Sequence, residues 1–308
     1  MATATFPPGS ATSAAAIPYQ WPQSVRSAAC FTVDVDAESP WLWAHRDRVP
    51  PTLGQLEMRR FGPRQGLGRL LELLDRHRIK GSFFVPGIVA ETYPSMLPTL
   101  IDRGHEVGLH GYFHEIVADS SDDEFAHALG AAMALFRAQT GAAPVGFRSP
   151  AWEMTPGMLA ELARHGLAYD SSLMGFDHPY DIGTMTELPV QWLTDDAIHF
   201  KFLGGGADKW PPSAPGGVLD GWRDEWRMTH DEGGLFMLTV HPWISGRGQR
   251  IALLDRLLTT IAEADNVWWA RCDEIAAHHK SSANNGRYTV DAAPPDAIGP
   301  RRPVSGSK

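Results

Sequence analysis

Cysteine is nearly absent: Cys30 and Cys272 are the only two in 308 residues. Two cysteines exclude a disulfide framework, and without a cysteine cluster the usual ligands of a structural zinc site are missing. Positive charge is also short, with 27 basic residues against 36 acidic ones and a net charge of −9. A basic face for phosphate backbones is therefore not to be expected, which argues against nucleic acid as a partner. No run of 18 apolar residues occurs, so the sequence offers no membrane span. The first 25 residues contain no Asp, Glu, Lys or Arg, and the apolar stretch at 13–17 is too short for a secretory signal. These absences together predict a cytoplasmic protein. What is present suits a globular enzyme: 43% hydrophobic and 20% charged residues supply a full-sized core.

A length of 308 residues admits one domain or two. Composition divides the chain into an Ala/Ser/Thr/Pro-rich arm at 1–24, a patterned region at 25–280 and a polar tail at 281–308. Short β-rich runs at 28–34, 81–85, 106–109, 145–147, 167–169, 187–190, 235–240 and 267–269 alternate with helical patterns. Leu67, Leu70, Leu71 and Leu74 place a helix over 66–77, and Ile251, Leu254, Leu257, Leu258 and Ile261 another over 250–264. Strand and helix alternation implies parallel strands joined by crossover helices. With eight strands and no nucleotide-type glycine loop, the expected fold is a single-domain α/β barrel, whose working residues lie where strands end.

Those exits carry ionisable residues. Asp34 and Asp36 stand two apart, so their carboxylates face one side of a strand. His110 and His114 stand four apart, a spacing that on a helical turn lets both imidazoles grip one ion. Two His and a carboxylate would leave a position open for water. Arg148 and Asp170 follow the next strands, and His241 stands between an apolar strand and Pro242. Any one of these reads more readily as a loop beginning; at six exits together they point to a site.

Five ordered motifs, TVDVD ending at Asp36, HGYFH from His110 to His114, RSPAW from Arg148 to Trp152, YDSS around Asp170 and LTVH ending at His241, resemble the polysaccharide deacetylase family, also called NodB-homology or carbohydrate esterase family four. The resemblance runs from about residue 28 to 241 and implies a distorted (β/α)7 barrel. It further implies that Asp36, His110 and His114 hold a divalent metal, usually zinc, that Asp34 is the general base with Arg148 as its partner, that His241 is the general acid, and that Asp170 tunes His241. The reaction implied is hydrolysis of a non-peptide amide by a metal-activated water.

Val35 separates two aspartates that are adjacent in the family pattern, and Ala151-Trp152 replaces its tyrosine. These departures resemble a branch of peptidoglycan-deacetylase-like, allantoinase-like and cyclic imide hydrolase proteins. The substrate is accordingly an N-acetyl amino sugar or a small cyclic amide or imide, and a barrel that binds ligand without catalysis is the reading from another class. Trp152 and Trp243 suit stacking on a sugar or a planar ring, and Arg247 and Arg250 are placed to hold a carboxylate or carbonyl over the mouth. The insert at 202–217, with Trp210, is expected to roof the pocket. Tryptophans at 41–43 and 222–226 offer a surface for a homo-oligomer.

Overall fold

Every residue of the first strand, β1 (Ser27–Asp34), is buried, because this strand lies in the middle of a parallel sheet with neighbours on both sides. In the computed structural model, which describes residues 18–22, 25–47 and 53–292, it is followed by β2 (Ser82–Val85), β3 (Glu106–Leu109), β4 (Gly146–Phe147), β5 (Tyr169–Asp170), β6 (Tyr180–Ile182), β7 (Met185–Glu187), β8 (Leu235–Val240), β9 (Val267–Trp269) and β10 (Thr289–Val290). The hydrogen-bonded order is β10-β6-β7-β5-β4-β3-β2-β1-β8, with β9 paired to the start of β1. The sheet is curled into a half-barrel within a single α/β domain, as the alternation predicts. Its strands are parallel except for β6 and β7, a hairpin turned at Gly183 with φ 58°.

Twelve helices accompany it among the described residues. They are α1 (Ser39–Ala44), α2 (Gly54–Phe61), α3 (Leu67–His77), α4 (Gly87–Thr92), α5 (Met96–Asp102), α6 (Asp122–Thr140), α7 (Pro156–Arg164), α8 (Asp196–Phe200), α9 (Pro215–Glu232), α10 (Pro242–Ser245), α11 (Gly248–Ala262) and α12 (Cys272–Ser281). The period of two along β1 sorts its side chains. Ala29, Phe31 and Val33 pack with Leu70, Leu74 and Leu254 of the helical layer, whereas Ala28 and Cys30 join Phe84, Tyr169 and Met237 in a second cluster. Thr32 and Asp34 continue that second face toward the C-terminal end of the strand. A π-helical turn at Gly62–Gly66 brings α3 against α10, where a Cβ on Gly66 would collide with the Pro242 carbonyl. Only glycine permits this approach, which seats the His241-Pro242 segment.

Several expectations need correction. The segment after 280 is not simply a tail: β10 pairs with β6, Asn284 is fully buried, and its side-chain amide donates to the Gln20 carbonyl at 2.7 Å. Tyr19 and Trp21, placed in the N-terminal arm by composition, are likewise buried against this end of the domain. Residues 1–17 and 293–308 lie outside the described residues. Trp222 and Trp226 are core residues, not surface, so they offer nothing to a subunit interface. No described helix is long and apolar enough to cross a membrane.

Candidate active site

At the C-terminal end of β1 a cleft of about 350 Å³ is lined by Asp34, Asp36, His110, His114 and His241 together with Trp152 and Trp243. The exits of β1, β3 and β8 named from sequence therefore converge in space. Asp34 ends β1, and Asp36 follows it on the same side. The polypeptide around them is held in unusual conformations: Ala37, His114, Ala151 and Trp152 all have positive φ, at 46°, 63°, 56° and 56°. Left-handed backbone at non-glycine residues clusters where a site over-determines the geometry.

Asp36 is the common partner of three imidazoles. Its carboxylate oxygens lie 3.4 Å from His110 Nε2, 3.7 Å from His114 Nε2 and 3.7 Å from His241 Nε2. Burial works against its charge, but the facing imidazoles of His114, His241 and His110 outweigh that and hold the carboxyl well below the usual range. The pair His110 and His114 does not sit on a helix, as the spacing predicts. Gly111, with φ 68°, turns the chain sharply after β3, and the Glu115 carboxylate accepts the Tyr112 and Phe113 backbone N–H groups at 2.9 and 3.0 Å, tying a compact loop instead.

That loop presents a ligand set. One donor atom each from Asp36, His110 and His114 lies within 4.8 Å of the others. His110 Nδ1 lies 2.8 Å from the Arg148 carbonyl, so a neutral ring donating there presents its Nε2 lone pair to an ion; burial opposes a charge on the ring, but the Asp34 and Asp36 carboxylates push its titration up. Burial lowers His114 to about 4, keeping it neutral near pH 7 as a ligating imidazole must be. Asp36 Oδ1 is buried without a hydrogen-bond donor, an orphaned acceptor in a cluster of two other donors. These residues fit a divalent ion of the kind that takes mixed N and O ligands.

Arg148 lies fully buried under the cleft. It donates to Asp34 at 2.9 Å, to Thr32 Oγ1 at 2.8 Å and to Ser171 through both the carbonyl and the hydroxyl, while its guanidinium covers the Phe84 ring at 4.2 Å. One carboxylate oxygen of Asp34 is thereby fixed. Arg148 cannot lose its proton, so its guanidinium remains a fixed positive charge beside Asp34.

His241 is oriented by a residue that sequence motifs do not reveal. Asp196 accepts both its backbone N–H, at 2.9 Å, and its Nδ1 hydrogen, at 2.7 Å. Burial opposes protonation of the ring, but Asp196, Asp36 and Asp195 together lift it well above its ordinary value. Asp195 and Asp196 reach this place because Asp195 bridges in parallel to Thr239 of β8 and its side chain caps α8, accepting the Ala197 N–H at 2.6 Å. Asp170, assigned to His241 by the resemblance, is elsewhere. It accepts a hydrogen bond from Ser172 Oγ at 2.8 Å beside the Glu187 carboxyl, and burial raises it to about 6. Both carboxyls are sealed in the sheet below Arg148, so Asp170 supports that region and not the imidazole.

The mouth also departs from expectation. Arg247 stacks on Phe61 at 3.5 Å and Arg250 on Phe200 at 5.0 Å, and neither lines the cleft. Residues 202–217 do not roof it, and Trp210 is 80% exposed. The wall is made instead by Trp152, stacked on Trp192 at 4.5 Å, and by Ala197, Ile198, Lys201, Arg59 and Trp243. An alternating-strand search finds residues at strand exits and so passes over Arg59 and Asp196, which sit on helices.

Comparison with known proteins bears on this arrangement. The polysaccharide deacetylase family pattern matches residues 61–169. A solved structure from Mycobacterium smegmatis assigned as a polysaccharide deacetylase is 36% identical, with 85% of this chain and 93% of that one covered and a TM-score of 0.80. A peptidoglycan deacetylase of Helicobacter pylori is 26% identical over 276 residues, covering 80% of this chain and 94% of that protein. A solved allantoinase structure, 19% identical with 86% of this chain and 93% of that one covered, shares the fold at a TM-score of 0.74.

Proposed function

This chain belongs to the polysaccharide deacetylase family, and from that premise we propose that it is a metal-dependent hydrolase of non-peptide amide bonds, of the amino-sugar N-deacetylase type. One observation carries the reading: three clustered metal-ligand types, Asp36, His110 and His114, share a cleft with an arginine-held carboxylate, Asp34, and a carboxylate-held imidazole, His241. A degenerate binding barrel would not need all three. A divalent ion held by Asp36, His110 and His114, zinc in the first instance, supplies Lewis acidity and an acidified water.

The chain's own groups do the proton work. Asp34, with one oxygen anchored by Arg148, takes the proton from the attacking water through its other oxygen. His241, kept protonated by Asp196, gives a proton to the departing nitrogen, without which an amine is a very poor leaving group. Water and amide thus become carboxylic acid and amine, one proton passing to Asp34 and one leaving His241, and transfer of the acid's proton to the amine gives carboxylate and ammonium. Asp196 keeps Nδ1 as the hydrogen-bond donor and so aims Nε2 into the cleft. Trp152, Trp192 and Trp243 give apolar faces against which a ring can lie.

The cleft volume of about 350 Å³ is at the small end for ligand pockets, which supports a single sugar ring or a small cyclic amide better than a long glycan. The cyclic amide and imide reading therefore stands beside the first. Both are tested by measuring acetate release from N-acetylglucosamine oligomers alongside ring opening of hydantoin, succinimide and dihydrouracil, with metal content determined on the same protein. Acetate release supports the deacetylase; turnover of the rings alone assigns the cyclic amidase; a metal-loaded protein inert toward all of them removes the hydrolase reading.

A further inference from the structure

The mechanism gives no task to the buried arginine of the cleft. Arg59, on α2, lines the cleft and is only 4% exposed, yet it makes neither a hydrogen bond nor an ion pair among the described residues. Its Nε is buried and unpartnered, and its guanidinium carbon lies over the Trp243 indole, 4.8 Å from the ring centre. Stacking on Trp243 fixes the plane of the guanidinium but supplies no acceptor. A buried arginine in this state lacks the hydrogen bonds that normally offset its desolvation.

Asp36 is the anion whose field reaches Arg59. On the reading above that carboxylate is given to a divalent ion, so it cannot also neutralise the arginine. The remaining charges of the cleft are matched elsewhere: Asp34 by Arg148, and His241 by Asp196, with the Asp195 carboxyl 3.8 Å from the same imidazole nitrogen and not paired with Arg59. Lys201 stands exposed on the rim and adds a second positive charge. What this wall lacks is an anion, and a planar guanidinium on a rigid stack is shaped to take a carboxylate through two parallel hydrogen bonds.

We propose that Arg59 is a substrate-specificity residue, and that the substrate of this cleft carries a carboxylate beside its reacting amide. This inference rests on the hydrolase reading for its chemistry but makes a claim about binding that can be tested apart from it. Two matched pairs serve both substrate classes: N-acetylmuramic acid beside N-acetylglucosamine, and dihydroorotate beside dihydrouracil. Within a pair the members differ by the carboxylate-bearing group.

The wild-type protein should favour the carboxylate member of at least one pair tenfold or more in kcat/KM. Arg59→Gln should bring that ratio to within about twofold of one, and Arg59→Lys, which keeps the charge but loses the fork, should restore part of it. The same ligands are titrated by calorimetry into wild type and Arg59→Gln, each with its metal content measured. If no compound is turned over but carboxylate-selective binding is seen and lost in Arg59→Gln, the hydrolase reading fails and this inference stands. Equal preference within both pairs, an Arg59→Gln variant that lowers both members alike, or no binding of any of the four would overturn it.

Discussion

Asp196 grips His241 twice, accepting its backbone N–H at 2.9 Å and its Nδ1 hydrogen at 2.7 Å across 45 residues of chain. A two-point hold fixes both the place of the ring and its tautomer. Replacing Asp196 by Asn keeps the size but offers an amide where the imidazole needs an acceptor. Amide hydrolysis should fall by about 10²- to 10⁴-fold in kcat. Asp170→Asn, a change in a carboxyl pair that does not touch the imidazole, should leave the profile of activity against pH in place. A loss in Asp170→Asn equal to that in Asp196→Asn would refute the assignment.

Arg148 is expected to matter for stability as well as activity. It is fully buried and satisfies Asp34, Thr32 and Ser171, so its truncation leaves an uncompensated carboxylate in the barrel. Arg148→Met should cost about 3–5 kcal/mol in chemical denaturation. A variant as stable as wild type would show that Asp34 is compensated by some other route.

Glu106 gives a pH signature at the opposite end of the sheet. Burial pushes its carboxyl up to about 7, although it accepts hydrogen bonds from Ser82, Tyr169 and the Asp273 N–H. The folded state then holds a proton that the unfolded chain, near 4.5, has released. Between these two values the native state binds more protons, so stability decreases as pH rises through the window and levels off above it. Urea midpoints measured from pH 5 to 8 should show this decline, and Glu106→Gln should flatten it; an unchanged slope in the variant would assign the effect to other groups.

The thiols of Cys30 and Cys272 lie 3.5 Å apart and fully buried, and burial drives the Cys30 thiol well above its ordinary value. Neither should react with a thiol reagent in the native state, and both should react once the protein is denatured. Rapid labelling of the native protein would mean that this part of the core opens.

Much of the site was open to a reader of the sequence because it follows strand periodicity. Asp34 and Asp36 share a side because β-strand residues two apart do so, and His241 is fixed by the apolar strand before it and the proline after it. Asp196 was not legible, since it follows an irregular stretch and reaches His241 only through a bridge to Thr239 and a short helix start. Arg59 escaped notice for a similar reason: it enters the cleft from a helix packed across the strand ends. The HGYFH spacing suggested a helical turn, but Gly111 and the Glu115 carboxylate make a loop. Polar composition after 280 hid the packing there, because hydrogen bonds such as those of Asn284 and Asp181, and the single Tyr288 ring among Tyr19, Phe176 and His178, carry it.

The role proposed for Asp34 is that of a base beside a metal held by Asp36, His110 and His114. Asp34→Asn and wild type, loaded to equal metal content, should be compared for turnover of the best substrate found among the amides and imides above. Equal metal occupancy and a fall in kcat of about 10²-fold or more are expected. Undiminished turnover by Asp34→Asn at full metal occupancy would contradict it.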